Sequence, residues 1–357
     1  MYKDTRLRGV EKWYHKPPED VNMRIPNDLL KSVCFLCVKI QKGKNAGRFQ
    51  YFGTAFFVGI REEDWTFTYL VTARHVIDEA RRVGHKTLFV RVNKHDGGAE
   101  NIELGSLDNW ASFVDESIDM AILGFAPNIN EFDYKFVPES ILVTPEEMDA
   151  RGIGEGDELV AIGLFTLHTG KHRNIPIVRT GVIAAMPYER FLDKKGREYS
   201  AFLAELRSIG GISGSPVFVY LDTRRVYDSK IGENEYQLLL LGIIRGHWDL
   251  RRELESDTEI LIDDAVLGFS SGEKMNVGIA VVTPALYIGA LLNSDFLRGG
   301  RKERMAMDDQ ENQITEDALL EKELSSEEFT QDMFQGSLRK ASRKISEPVS
   351  ERKETSE

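Results

Sequence analysis

Residues 33–73, VCFLCVKIQKGKNAGRFQYFGTAFFVGIREEDWTFTYLVTA, contain three apolar runs separated by turn residues. The runs are VCFLCVKI (33–40), FGTAFFVGI (52–60) and TFTYLVTA (66–73), and all three are rich in β-branched and aromatic residues. Short runs of this composition, bounded by Gly, Asn and Asp, are typical of β-strands. The stretch therefore predicts three strands in close succession.

The same pattern continues as far as residue 283. Eight further runs follow: TLFVRVN (87–93), DMAILGF (119–125), ELVAIGLF (158–165), IVRTGVIAAM (177–186), AFLAEL (201–206), SPVFVY (215–220), YQLLLLGII (236–244) and VGIAVVT (277–283). Many short strands without alternating strand–helix units predict an all-β protein of barrels or sandwiches. The segment PALYIGALLNSDFL (284–297) has helical spacing and is expected to close the fold.

The two ends of the chain differ from this central region. Residues 1–29 are polar and proline-containing, which predicts an extended N-terminal arm. Residues 301–357 contain 10 Lys and Arg and 15 Asp and Glu, but no Trp or Tyr. Such a segment buries too little apolar surface to offset its ordering entropy. We therefore expect a charged, largely disordered tail over 298–357, to which a regulatory protein partner can bind.

Composition argues against several classes of partner. The 357 residues carry a net charge of -12, and no basic and aromatic stripe is present, so nucleic acid is not expected as a partner. No run reaches the roughly 18 apolar residues of a membrane span, and mean hydropathy is -0.32. The first residues lack the apolar core of a secretory signal, and two cysteines cannot make a disulfide scaffold. A cytoplasmic location is expected.

Three motifs carry candidate chemistry. YLVTARHV places His75 just beyond a strand, SIDMAILGF places Asp119 at the start of another, and GGISGSPVF places Ser213 between glycines. A serine hydroxyl becomes a strong nucleophile when an imidazole takes its proton, and a carboxylate fixes the tautomer of that imidazole. Asp115 and Glu116 are rival carboxylates nearby in the sequence.

Glycines around the serine serve a separate need. Gly211 and Gly214 allow a sharp bend, so that the backbone amides of Gly211 and Ser213 can converge on a developing oxyanion. A Gly-x-Ser motif also occurs in α/β-hydrolases, but that fold needs strand–helix alternation, which is absent here. Cys34 and Cys37 form a CxxC string inside a strand-like run without a second pair, so a zinc or redox role is not expected and two buried reduced thiols are. Acyl transfer by a serine, a histidine and a carboxylate requires no metal and no organic cofactor, so none is expected.

The motifs TARHV, DMAIL and GISGSPVF resemble the three active-site motifs of the trypsin/chymotrypsin-like serine proteases. They are most similar to the bacterial, disulfide-free branch that includes HtrA-type and glutamyl endopeptidase-like enzymes. Separations of 44 residues between the first two motif residues and 94 between the last two lie in that family's usual range. The resemblance covers roughly residues 30–295 and implies a catalytic triad of His75, Asp119 and Ser213.

The resemblance also implies an architecture. We expect two six-stranded antiparallel β-barrels in the chymotrypsin-like manner, with the site in the cleft between them and a C-terminal helix. The boundaries are an arm over 1–29, a first barrel over 30–145, a second barrel with the closing helix over 146–297, and the tail over 298–357.

Some residues depart from the family pattern. Ile212 stands where most members have Asp, and an apolar side chain cannot pair with a freed N-terminus, so activation by N-terminal cleavage is not expected. Ser215 replaces the second glycine after the nucleophile. Arg74 stands where the family often has Ala, and an exposed position beside the cleft would accommodate it.

The resemblance also implies a preference for the side chain that precedes the cleaved bond. In the family, the residue six before the nucleophile often lies at the base of the pocket for the side chain that precedes the cleaved bond. That position is Arg207, followed by Ser208, and the strand LLGIIRGHW adds Arg245 and His247 to the pocket wall. Cationic groups in a partly dry pocket favour a carboxylate, which predicts a preference for Glu or Asp.

The sequence therefore predicts an intracellular serine endopeptidase that cleaves polypeptides through an acyl-enzyme on Ser213. Two other interpretations remain open. One is a pseudoprotease that binds peptides without cutting them. The other is a protease switched on by a partner through a soft oxyanion loop at 207–212.

Overall fold

The computed structural model describes residues 25–164, 169–192, 196–206, 212–221, 238–249 and 276–308; for residues 247–249, 276 and 277 it describes the backbone alone. The chain divides into two compact units, Met1–Ser294 and Asp295–Glu357. All the named strands lie in the first unit.

The N-terminal half of the first unit is one eight-stranded sheet. Its strands are β1 (Val33–Lys39), β2 (Phe49–Glu62), β3 (Trp65–Thr72), β4 (Thr87–Asn93), β5 (Ala99–Ser106), β6 (Ala111–Ser112), β7 (Ala121–Gly124) and β8 (Val137–Pro138). The order is β5-β4-β1-β2-β3-β7-β6, and β8 pairs in parallel with β2 outside that order. Every other pairing in the sheet is antiparallel among the described residues.

The C-terminal half contains a closed antiparallel barrel. The remaining strands are β9 (Glu158–Leu164), β10 (Pro176–Ala185), β11 (Phe191–Leu192), β12 (Glu198–Tyr199), β13 (Phe202–Glu205), β14 (Pro216–Tyr220), β15 (Leu238–Asp249) and β16 (Asn276–Pro284). Six of them close in the order β10-β13-β16-β15-β14-β9, and β11 and β12 form a separate two-stranded sheet. We call these two strands, β11 and β12, the hairpin.

Short helices fill the connections. They are α1 (Asn27–Leu30), α2 (Arg74–Arg82), α3 (Pro145–Arg151) and α4 (Leu286–Leu292), with 3-10 turns at Leu107–Asn109 and Glu139–Ile141. The start of α3 follows from its sequence, since the Thr144 hydroxyl accepts the Glu147 N–H. Its end is Gly152, whose φ of 59° suits glycine.

Strand β2 joins the two halves. Residues 53–60 of this strand are buried without interruption, so both of its faces are covered. On the side of the barrel, the Leu164 N–H of β9 donates to the Thr54 hydroxyl at 3.3 Å. The central strand of the sheet therefore contacts the barrel directly, and the candidate site residues lie around this junction.

The predicted fold class is confirmed. The chain is mostly β, its second half contains a closed six-stranded antiparallel barrel, and α4 follows the last strand. The first half differs from expectation, because its strands form a curled eight-stranded sheet instead of a six-stranded barrel. The polar edge strand β5 and the two-residue strands β6 and β8 carry no apolar pattern, which is why the sequence did not reveal them.

The ends of the chain are described only in part. Residues 1–24 of the predicted arm and 309–357 of the predicted tail lie outside the described residues. Residues 295–308 are helical, including 298–308, which we expected to begin the tail. Residues 301–307 consist entirely of Lys, Arg, Glu, Met and Ala, which are strong helix formers. In the described part of the chain, no helix is long and apolar enough to cross a membrane.

Both cysteines are buried and free in β1. The Cys34 thiol donates to the Ala55 carbonyl at 3.4 Å, and Cys37 lies 3.5 Å from the Phe89 carbonyl. Burial raises the pKa of both thiols, that of Cys37 to about 12. They are therefore protonated at neutral pH and pack as small apolar side chains.

Candidate active site

His75 lies in the first turn of α2, directly after β3. Ala73 is fully buried and extended, so strand and helix are joined by a tight connection. The helix buries Val76, Ile77 and Ala80 against the sheet. The His75 side chain is not buried with them and is 47% exposed. The helix thus fixes the backbone of His75 while its ring stays accessible.

Asp119 lies in the segment 113–120 between β6 and β7, which we call the acid loop. Its Oδ1 accepts the His75 backbone N–H at 2.8 Å, and its Oδ2 lies 2.7 Å from His75 Nδ1. The residue is only 5% exposed. One carboxylate therefore holds both the backbone and the ring of His75, and it satisfies an amide that the first turn of a helix leaves free.

The charges of the pair favour one protonation state. Burial raises the pKa of Asp119, but the hydrogen bonds and the positive charge available from His75, together with Arg245, outweigh it and lower that pKa overall. An ionised carboxylate only accepts hydrogen bonds, so His75 Nδ1 carries a proton, and in the neutral imidazole Nε2 has the free lone pair. Burial lowers the pKa of His75. The hydrogen bond to Asp119 and the charge of that carboxylate raise it by a larger amount, so the pKa of His75 is raised overall.

The rival carboxylates have other partners. Asp115 accepts the Ser117 N–H at 2.9 Å, and this hydrogen bonding lowers the Asp115 pKa. Glu116 accepts from Arg197 at 2.6 Å at an exposed position. Of the three candidate acids, Asp119 is the one that the structure brings to His75.

Ser213 lies in the turn that precedes β14, and that turn is held against β2. The Thr54 N–H donates to the Ser213 carbonyl at 3.1 Å, and the Gly214 N–H donates to the Ile244 carbonyl at 2.8 Å. Gly214 has a φ of 84°, and a Cβ built on it would lie 2.2 Å from Thr54 O and 3.1 Å from Ala73 N. The residue after Ser213 thus packs against the connection that leads into His75, and only glycine fits there.

The positions flanking Ser213 are filled by packing. Ile212 is 2% exposed and its Cγ2 would lie 3.3 Å from a Cβ on Gly163 in β9. The Ser215 hydroxyl would lie 2.6 Å from the same Cβ, so the glycine in β9 makes room for both side chains. Ile212, where most of the similar family has Asp, is therefore an apolar anchor of the turn.

Arg245 does not point where the sequence suggested. Its Nη1 donates to the Ser117 carbonyl at 2.8 Å, and its Nε lies 3.9 Å from Asp119 Oδ2. Its Cζ lies 4.0 Å from the centre of the Tyr199 ring. The guanidinium thus contacts the acid loop and the hairpin, whereas we had expected it in the specificity pocket. The cause is a β-bulge in β15, which no sequence pattern revealed.

Arg74 also differs from the exposed position that we considered. Its side chain is 18% exposed and donates to the Phe113 carbonyl at 2.8 Å, which ties α2 to the acid loop. The other predicted site residues, Arg207, Ser208 and Gly211, lie outside the described residues, as does the side chain of His247.

Neither a family model nor a curated protein matches this chain. Solved structures do. Deg5 is 16% identical over 61% of this chain and 81% of its own, with a TM-score of 0.38. The HtrA-type protease AlgW, solved with a decapeptide, is 16% identical over 73% of this chain and 64% of its own, also at 0.38. The Rv3671c protease from M. tuberculosis in its active form is 15% identical over 76% and 90%, again at 0.38.

Such identities and TM-scores leave the chemistry to be argued from this chain's own residues. General-base-assisted acyl transfer needs a carboxylate, an imidazole and a serine hydroxyl. Here the carboxylate is nearly buried and bonds both the backbone and Nδ1 of the histidine, and the serine lies on a turn packed against the connection that leads into that histidine.

Proposed function

We propose that this chain is a serine endopeptidase of the trypsin-like type, acting on polypeptides through an acyl-enzyme on Ser213. The observation that carries the proposal is that Asp119 contacts both the backbone N–H and the ring Nδ1 of His75, beside the turn that bears Ser213. A buried carboxylate in that position has a clear chemical use: it sets the tautomer of His75 and stabilises its cation.

The reaction follows from these groups. Ser213 Oγ attacks the peptide carbonyl carbon while His75 Nε2 takes the hydroxyl proton. The amides of Gly211 and Ser213 stabilise the oxyanion, and His75 then gives its proton to the leaving amine. Water, deprotonated by His75, releases the acid and regenerates Ser213. No metal or organic cofactor enters these steps.

Substrate preference is a further part of the proposal. A preference for Glu or Asp before the cleaved bond rests on Arg207, Ser208 and His247, since Arg245 has its contacts on the acid loop. We also propose a cytoplasmic location and a regulatory partner that binds the charged residues 309–357.

A peptide-library cleavage assay tests the activity. Wild-type protein should hydrolyse library peptides, and Ser213→Ala should lose hydrolysis by several orders of magnitude. The matched control is Ser215→Ala, because that hydroxyl is fully buried two residues away and should leave turnover intact. Binding of peptides without cleavage would replace the proposal with a pseudoprotease, and cleavage only after addition of a cell extract would indicate a partner-switched enzyme.

The same peptide library measures which side chain is preferred before the cleaved bond. Enrichment of Glu and Asp before the cleaved bond, lost in Arg207→Ala, would support the assignment of that residue. Enrichment of Lys, Arg, Leu or Phe at that position would contradict the acidic preference and leave the peptidase activity standing.

A further inference from the structure

Arg245 occupies an irregular point in the barrel. In the pairing of β15 with β16, Ile244 lies opposite Val282 and Gly246 lies opposite Val281, so Arg245 is an extra residue with no opposite partner in that ladder. A bulge of this kind bends the strand and redirects the side chain of the extra residue. Here it directs a cation from the barrel toward the acid loop of the first sheet.

The contacts of Arg245 converge on the segment that carries Asp119. Ser117, whose carbonyl accepts the Arg245 hydrogen bond, is 3% exposed and lies two residues before the carboxylate. The Tyr199 ring covers one face of the guanidinium, and its own neighbour in the hairpin is Phe191 at 5.8 Å. A guanidinium held by a ring on one side and a carbonyl at its edge has a fixed orientation.

The orientation of Arg245 brings its positive charge close to the buried carboxylate of Asp119. Asp119 is nearly buried, and in the resting state its direct partner is a neutral imidazole, so the pair carries one uncompensated negative charge. Arg245, 3.9 Å from Oδ2, offsets that charge. Among the described residues, the other charged groups that act on His75 are Asp78 and Glu79 of its own helix.

We propose that Arg245 is a positioning residue for the His75–Asp119 pair, which fixes the acid loop through Ser117 and keeps Asp119 ionised and directed at the imidazole. Its catalytic consequence rests on the proposed peptidase function. The same positive charge disfavours the imidazolium form, so Arg245 keeps His75 neutral, and able to accept a proton, at lower pH than Asp119 alone would allow.

The test compares Arg245→Met with wild type in two measurements. In the pH profile of kcat/KM, the acidic limb should move to higher pH by about half a unit to one unit, because loss of a nearby cation favours imidazolium. The plateau kcat should fall about tenfold as the acid loop loosens, with KM and the side-chain preference unchanged. An NMR titration of the His75 imidazole should show the same upward displacement.

Two further variants separate charge, geometry and stability. Arg245→Lys keeps the positive charge, so the acidic limb of its pH profile should stay within about 0.3 pH unit of wild type. Its kcat should be reduced, because an ammonium group lacks the planar set of donors of a guanidinium. Arg197→Met removes a half-buried cation that donates to the exposed Glu116 in the acid loop, and it should leave the midpoint of the His75 titration within about 0.2 pH unit of wild type. Should Arg245→Met fail to fold, Arg245→Lys alone carries the test, since an unreduced kcat would contradict the positioning role.

An unchanged His75 titration in folded Arg245→Met would overturn the inference. So would a raised KM or a lost acidic preference at constant kcat, which would return Arg245 to the specificity pocket. An inactive wild-type protein would instead count against the proposed function, and the imidazole titration would still decide the role of Arg245.

Discussion

The sequence predicted the position of Asp119 in the site, but it did not predict the direction of the Arg245 side chain. Asp119 lies in a short motif, DMAIL, whose context identified it ahead of Asp115 and Glu116, and the structure brings it to His75. Arg245 was read from the sequence as part of a pocket wall, yet its guanidinium contacts the acid loop. Spacing along the chain indicates motif residues, whereas the direction of a side chain at a β-bulge depends on strand pairing across the barrel.

Replacement of Asp119 by Asn should lower kcat by about four orders of magnitude, because an amide can donate to Nδ1 and so stabilise the wrong imidazole tautomer. The measurement is steady-state hydrolysis of a library-derived peptide. Asp115→Asn is the matched control, since Asp115 bonds Ser117 and should leave turnover near wild type. Wild-type rates in Asp119→Asn combined with losses in Asp115→Asn or Glu116→Gln would transfer the acid role to a rival.

The pH dependence of activity should follow His75. Burial lowers its pKa, but the Asp119 hydrogen bond and charge raise it more, so the pKa lies above its usual 6.5. Only the neutral ring accepts the Ser213 proton, so kcat/KM should fall as pH decreases, with a midpoint above 6.5. In Asp119→Asn the Asp119 charge, which raises the His75 pKa, is lost and the ionic hydrogen bond with it, so the imidazole should titrate at lower pH. A wild-type midpoint well below 6.5 would contradict this coupling.

At the scale of elements, apolar strands were predictable and polar ones were not. The run ELVAIGLF (158–165) corresponds to β9, which is buried at all but its first residue and therefore carries a continuous apolar run. The run IVRTGVIAAM (177–186) corresponds to β10, which is mostly half-buried and is indicated by its β-branched residues. The edge strand β5 is largely exposed, and the hairpin strands have two residues each, too few for a periodic signal. The missed hairpin is the element that supplies Tyr199 to Arg245.

The packing of the Ser213 turn against β2 predicts a strong effect of Gly214→Ala. The new Cβ would lie 2.2 Å from Thr54 O at a φ of 84°, so the turn must shift. We expect a loss of about 2 kcal/mol in the free energy of unfolding, and a large fall in kcat as Ser213 moves from His75. Denaturant unfolding and peptide hydrolysis measure the two effects.

Gly154→Ala is the matched control for Gly214→Ala. A Cβ on Gly154 would meet no atom within 4 Å, so both stability and turnover should stay near wild type. A stable, fully active Gly214→Ala protein would show that the turn does not depend on its contact with β2 and the end of β3.

At the scale of the whole molecule, composition separates the β unit from the end of the chain. Residues 309–357 contain no Trp or Tyr and only two Phe, which gives them little apolar surface to bury. Their removal should leave the melting temperature and the hydrolysis of small peptides nearly unchanged. Thermal unfolding and peptide assays on the truncated chain check this, and a large drop in melting temperature would show that the segment packs on the rest of the protein.

A fluorophosphonate probe, which reacts with an activated serine, tests the central claim most directly. Ser213 Oγ should displace fluoride from the probe, so wild-type protein should gain the mass of one phosphonyl group, and peptide mapping should assign it to Ser213, because His75 and Asp119 activate that hydroxyl. His75→Ala should abolish labelling, and Ser215→Ala should retain it. Well-folded wild-type protein that takes up no probe, or takes it up at another serine, would contradict the account.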